Sequence, residues 1–316
     1  MARFLIQRTA IGLILLYFVV TAIFLMLHVL PGDPAELLLV GQGGTATPEA
    51  VAALRTTLGL DQPLGTQYWD YLTGLIRGDL GTSLQDGEPV AAYVVQRLPR
   101  TLLLVLSATV VAVAVGIPLG AWTARRGGTV DAVARALVST GIAAPAYVIG
   151  LFLVYLFALK LQWLPSSGYV PFAEDPLGML ERLILPTLTL AIGFTAIVMR
   201  MTRAAVLEVI SQDWVRTATA AGLRSRRVLV AHVIRNALSP VLTVVGLQMG
   251  AFLGGTVIIE RMFNWPGLSG LLVGAVENRD YPLVQGIVIV IAALFIGLNM
   301  LVDLSYPLLD PRGRKR

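Results

Sequence analysis

The stretch TLLLVLSATVVAVAVGIPLGAWTA, residues 101–124, runs for 24 residues without a charged side chain. A helix of a soluble protein keeps one polar face, and the part at 110–118 has none. Centring an Arg, Lys or Asp in a membrane helix costs ~2.5–3.5 kcal/mol, whereas a Leu or Ile contributes only ~0.3–0.6. Long uncharged gaps therefore carry the information. Working outward, such gaps recur at 9–27, 136–159, 183–199, 236–259 and 281–302. A spanning helix needs about 20 residues, with a range of about 17–25. The gap at 183–199 sits at the lower limit and has room to extend past Arg200. Pro118, Pro145 and Pro186 interrupt three of the six, which a membrane helix tolerates where neighbours or water satisfy the freed carbonyls. The expected fold is an all-α membrane protein with six transmembrane helices.

Composition agrees. Apolar residues make up 56% of the 316 and charged residues 14%, against ~45–50% and ~25% in an average soluble domain. There is no cysteine, which excludes disulfides, thiolate zinc sites, Fe–S clusters and a cysteine nucleophile. His28 and His232 are the two histidines, too far apart in sequence to suggest a cluster. Lys160 is followed by Leu161 and Lys315 by Arg316. A Walker A loop needs Lys followed by Ser or Thr, so any ATP that drives this chain is bound by another subunit. No catalytic residue, metal or cofactor is expected, and the chain does not read as an enzyme.

Charge sets the orientation. The N-terminus, 125–135, 200–235 and the C-terminal tail together hold 16 Lys/Arg and 5 Asp/Glu, while the intervening segments hold 8 and 14. The positive-inside rule places the first set, and hence both termini, in the cytoplasm. The arginines are split among membrane-flanking segments, which argues against nucleic acid as a partner. Arg3 and Arg8 could open a signal peptide. The apolar stretch that follows exceeds the usual ~7–15 residues and leads into Leu30-Pro31-Gly32-Asp33-Pro34, so a retained helix is expected.

Three connecting segments stand out. In the external one, about 31–100, Thr47-Pro48 suits a helix start and Gly59 its end. A second short helix is expected at 66–76, with Tyr68, Trp69, Tyr71, Leu72 and Leu75; it reads either as a lid on the helix ends or as a docking surface. The cytoplasmic segment 200–235 contains Asp213-Trp214-Val215-Arg216-Thr217-Ala218-Thr219-Ala220-Ala221-Gly222-Leu223. This is a short helix rich in small residues and ended by Gly222. A second helix follows through His232 and Arg235 toward Pro240. Docking of another protein and a linker facing anionic lipid are both open. The external segment 260–280 holds Phe263-Asn264-Trp265-Pro266-Gly267-Leu268, with Glu260, Glu277, Arg279 and Asp280 at its edges, as gate, interface or plain turn.

Gly246, Gly250 and Gly254 form a stripe on the fifth span, either a helix seam or a wall beside a path for solute. Gly116 and Gly120 give a shorter version on the second. No Asp, Glu, Lys or Arg lies in the middle of a span. A proton-coupled carrier usually places ionisable groups there, so a stand-alone carrier is disfavoured. A membrane scaffold without flux is the third class.

Taken in order, these motifs resemble the inner-membrane permeases of ABC importers, most closely the dipeptide, oligopeptide, nickel and glutathione group. The resemblance covers nearly the whole chain. It is carried by Leu30-Pro31-Gly32-Asp33-Pro34, Leu58-Gly59-Leu60-Asp61-Gln62-Pro63-Leu64 and Gly78-Asp79-Leu80-Gly81 with Ser83. It continues through Arg216-Thr217-Ala218 with Ala220 and Gly222, His232, Arg235-Asn236-Ala237 and Pro240. Residues 263–268, Arg279-Asp280-Tyr281-Pro282 and Asp310-Pro311-Arg312 complete it. The resemblance implies a type I ABC importer permease fold: an N-terminal helix plus external loop at 1–96, a core at 97–307 and a basic tail at 308–316. It implies a multi-pass subunit of the cytoplasmic membrane and import of a small solute, a di- or oligopeptide or glutathione, by alternating access. The implied partners are a second homologous permease, one or two ABC ATPase subunits and an external solute-binding protein. It assigns ATPase coupling to Asp213, Arg216, Thr217, Ala218, Ala221, Gly222, Arg235, Asn236 and Pro240. Gly246, Gly250 and Gly254 are expected at the pathway or a seam, and Trp265, Arg279 and Asp280 at an external gate or docking site. The general importer pattern begins Glu-Ala-Ala; Arg216-Thr217-Ala218 stands there instead, so no glutamate contact with the ATPase is implied.

Overall fold

The computed structural model describes residues 2–29, 36, 47–57, 59–126 and 128–309. Segment 30–34, Leu58, the Asp310-Pro311-Arg312 motif and the tail beyond Leu309 lie outside the described residues. Helices dominate: α1 (Ala2–Val29), α2 (Pro48–Thr57), α3 (Leu64–Ile76), α4 (Val90–Arg126), α5 (Gly128–Ala143) and α6 (Ala146–Leu153), which runs on as a π-helix over Val154–Lys160. Then come α7 (Pro176–Ile210), α8 (Asp213–Ala220), α9 (Ser225–Arg227), a π-helical Val228–Ile234, α10 (Arg235–Gly255), α11 (Val257–Met262), α12 (Leu268–Glu277) and α13 (Tyr281–Leu309). No strand occurs among the described residues; Thr82 and Pro89 form an isolated antiparallel bridge. Residues 96 and 97 are neighbours inside α4, so the expected N-terminal unit and core share that helix.

Five helices are long and apolar enough to cross a membrane, and the bent pair Gly128–Ala143 and Ala146–Lys160 makes a sixth crossing if taken as one. The expected span at 136–159, interrupted by Pro145, falls on this pair, which is bent by 100°. Proline has no N–H and drives the residue before it out of the α region. Pro145, with ψ 135, begins α6 from an extended conformation. Pro118 and Pro186 stay inside continuous helices. The difference is packing. Gly116 and Gly120 clamp α4 against α7 on either side of Pro118, and Leu185, Pro186 and Thr187 are buried, whereas residues 145–148 are exposed and nothing holds that turn straight. The fourth span does extend past Arg200, to Ile210.

The α4–α7 pair is the spine of the molecule, with α10, α13 and α5 packed around it and α1 outside against α13. Around Ala112, Phe194, Val198, Val241 and Val245 the three helices α4, α7 and α10 share one core. Of the two α4 glycines that face α7, Gly120 is the tighter. A Cβ there would lie 2.6 Å from the Met199 carbonyl oxygen and 2.8 Å from the Thr202 Cβ. Backbone cannot swing aside, so Gly120→Val is expected to cost about 1–3 kcal/mol by overpacking, read as earlier thermal unfolding in detergent. Gly254→Ala, with nothing within 4 Å of its added carbon, is the silent control.

Candidate functional site

Five of the expected coupling residues, Asp213, Arg216, Thr217, Ala221 and Gly222, lie on one exposed knob formed by α8 and the turn after it. Helix α8 buries only Val215, which joins Ala121 of α4, Ala205, Val206 and Val209 of α7, and Val228, Val233 and Ala237 of the following helix. Ala218 packs partly against the same cluster. Asp213, Arg216, Thr217, Ala221 and Gly222 are exposed, with Arg216 3.8 Å from Asp213 in a solvated pair. Gly222 has φ +82. Its N–H donates to the Thr219 carbonyl at 3.0 Å, and the Leu223 N–H donates to the Ala218 carbonyl at 3.3 Å. That is a Schellman stop, which requires a left-handed residue where Gly222 stands. Arg235 and Asn236 are exposed on the next helix, and Pro240 is half-buried inside it. The Asn236 side chain donates to the His232 carbonyl at 2.7 Å, spending its amide on its own helix. Val215 thus packs α8 against the ends of three spans at once.

The opposite end of the chain is tied by a second constellation, which sequence spacing did not reveal. Glu260 of α11 is 1% exposed. Its carboxylate accepts from Thr101 Oγ1 at 2.9 Å, Thr256 Oγ1 at 3.0 Å and the Gly270 N–H at 2.7 Å. Thr101 Oγ1 in turn accepts from the Leu268 N–H at 2.7 Å. Helix α12 begins after Gly267, which has no side chain to cap it, so Glu260 supplies the capping charge from a distance. A Cβ on Gly267 would run into the Glu260 carboxyl; this glycine is required for space. Burial pushes the Glu260 carboxyl above the ordinary carboxylate range, against the pull of the hydrogen bonds it accepts.

Trp265 and Asp280 belong to the same end and are buried. Trp265 Nε1 donates to the Arg100 carbonyl at 3.0 Å, and the indole meets Tyr169 edge-on at 5.0 Å. The Arg100 guanidinium lies 4.6 Å over the other partner, the Tyr169 ring. Asp280 accepts from Ser83 Oγ at 2.5 Å and the Leu84 N–H at 3.2 Å, and from the Leu283 N–H at 3.3 Å. It fastens the loop before α4 to the start of α13. Arg279 is exposed, at φ +56. Asp86, also in this loop, is held below the usual range by the Tyr93 hydroxyl it accepts from.

Gly246 and Gly250 are buried, and a side chain on either would collide with Val302 or Phe295 of α13. Gly254 faces open space. Helix α3 is tied to α1 through Tyr68 Oη and Thr21 Oγ1 at 2.6 Å and through Phe24, which packs on Tyr68 and Tyr71. Trp69 and Ile76 stay exposed on its flank. A partly buried ion pair that sequence analysis missed joins α5 to α7: Arg203 donates to both carboxylate oxygens of Asp131, at 2.5 and 2.7 Å. The partners are 72 residues apart, and no local pattern links them. No group of three or more His, Cys, Asp or Glu fit to hold a metal occurs among the described residues.

Known proteins share this architecture. The family described as binding-protein-dependent transport system inner membrane component matches residues 116–315, and its N-terminal counterpart matches residues 1–105. A probable peptide ABC transporter permease protein of Sinorhizobium fredii is 38% identical over 315 residues, covering 99% of this chain and 100% of that protein. The glutathione transport system permease protein GsiC of Salmonella choleraesuis is 39% identical over 319 residues, covering 99% of each. The solved inward-facing MetNI methionine ABC transporter is similar in fold, with a TM-score of 0.55 at 14% identity over 69% of this chain and 96% of that one.

Proposed function

The chain belongs to the binding-protein-dependent transport family of inner-membrane components, with a type I importer permease fold, and we propose on that premise that it is one half of the pore of an ATP-driven peptide or glutathione importer. Permeases of this kind are transport components, and ATP hydrolysis is assigned to separate ABC ATPase subunits. The observation that carries the coupling role is the α8 knob: exposed small and charged residues outside, Val215 inside, on the ends of α4, α7 and α10. An ATPase pair that closes on ATP pulls this knob, the spans rock, and the path opens outward to a solute-binding protein. Hydrolysis resets it. The permease needs only contacts that differ between two states. Its partners are a second homologous permease, one or two ATPases and the external binding protein, with both termini in the cytoplasm as the charge distribution favours. Residues 1–96 serve as the N-terminal helix and external loop, 97–307 as the type I core and 308–316 as a basic tail. Arg279, exposed beside the buried Asp280, is the external docking contact. Trp265 and Asp280 keep the external end in shape for that contact.

Relatives are named for peptide and for glutathione transport, and glutathione is itself a tripeptide; a short peptide is the proposed solute class. Extraction from the native membrane in mild detergent is expected to recover a P-loop ATPase and a second six-span permease with this chain. Recovery of the chain alone in several detergents, together with flux that needs no ATP, would overturn the reading.

A further inference from the structure

A groove of about 530 Å³ lies between the end of α4, α5 and the middle of α7. Its floor is small and apolar, with Ala134, Gly141 and Ala196, and its rim carries Val133 and Leu137, both largely exposed. Thr123 also lines it, but its hydroxyl is turned into the helix, donating to the Leu119 and Gly120 carbonyls. Along α5 the lining runs from Thr129 to Gly141, about 18 Å at 1.5 Å per residue. One leaflet of a hydrocarbon core ~30 Å thick is half that thickness, about 15 Å.

One mouth of the groove is cationic. Trp122 lines it there, half exposed, with the Arg126 guanidinium 5.9 Å from its ring centroid. Arg125 is next in the chain and donates to Ser225 Oγ at 2.9 Å. The carboxylate nearest in sequence, Asp131, is already engaged by Arg203 and by Arg135. Among the described residues Arg126 has no carboxylate partner. Tryptophan and arginine together mark a headgroup level, and basic groups at the cytoplasmic face attract anionic lipid.

We propose that this groove is a binding site for an anionic phospholipid, with one acyl chain along α5 and the phosphate on Arg126 and Arg125. A second copy of this chain is the poorer occupant, because two cationic mouths would face each other. The proposal rests on the membrane placement and is independent of the solute and of the ATPase assignment.

The test uses the full-length chain, extracted in mild detergent with the subunits that accompany it, and native mass spectrometry to count retained lipid. Phosphatidylglycerol is expected to be kept about fivefold better than phosphatidylcholine. Arg126→Gln should remove that preference, and Val133→Trp should reduce retention of both lipids by filling the rim. Both positions are exposed, and unchanged thermal unfolding checks that the variants fold. Equal retention of the two lipids by the unmodified chain would overturn the proposal. So would efficient cross-linking of Val133→Cys, in a chain with no other cysteine, to a neighbouring permease.

Discussion

Gly222→Arg is expected to bring solute uptake to background while the chain still inserts and still packs its spans. The position is exposed, and nothing lies within 4 Å of the carbon that a side chain would add, so no core contact is lost. Two effects act locally. A non-glycine residue in the left-handed region costs about 1–2 kcal/mol, roughly tenfold in the population of the capped turn. The long cationic side chain then stands on the face proposed to meet the ATPase. Uptake of labelled peptide and ATP turnover, measured side by side in proteoliposomes, separate the outcomes: uptake lost with turnover retained marks uncoupling. Gly222→Asn should keep much of the uptake, since asparagine visits the left-handed region readily. Normal uptake by the arginine variant would sink the coupling role of α8.

Why was this knob visible in the sequence while the buried end was not? Gly222, the run of small residues before it and the arginines after it act within a dozen residues, where helix stops obey local rules. The same holds for α2, which begins at Pro48 after Thr47 and is followed by Gly59 at φ +68, and for α3 at Leu64–Ile76. The six apolar gaps were legible because charge is costly in lipid wherever it falls. Pro145 was harder: three prolines looked alike, and only the packing around each decides which one bends the chain. Glu260 reads as a charge at the edge of a loop. Its function as a remote cap depends on Thr101, 159 residues away, and on Gly267 leaving it room. Asp131 and Arg203 likewise meet only in the fold, where α5 packs beside α7.

Glu260→Ala should be the most destabilising single change in the region around α11 and α12. The Gly270 N–H at the start of α12 and the Thr101 hydroxyl would both lose their acceptor inside the protein. Thr256 retains Ser269 Oγ, 3.1 Å away, as a second partner. A buried donor left without a partner costs about 1–3 kcal/mol, so the loss is on the order of 4 kcal/mol, with a fall in apparent melting temperature on the order of 10 °C. Glu260→Gln keeps one acceptor oxygen and should lose less. The two variants also separate charge from shape. Because burial raises the Glu260 carboxyl, the folded chain holds that proton more tightly than the unfolded chain does. The stability this group contributes is full below the ordinary glutamate value of about 4.3 and is lost as pH climbs through the raised folded value. The native chain should therefore melt higher at the acid end of that window than above it, by a margin that the uncharged glutamine variant does not show. Parallel pH profiles for the native and glutamine chains would mean that Glu260 does not titrate differently on folding. The hydrogen bonds it accepts would then offset the burial penalty, leaving the carboxyl with the same proton affinity folded and unfolded.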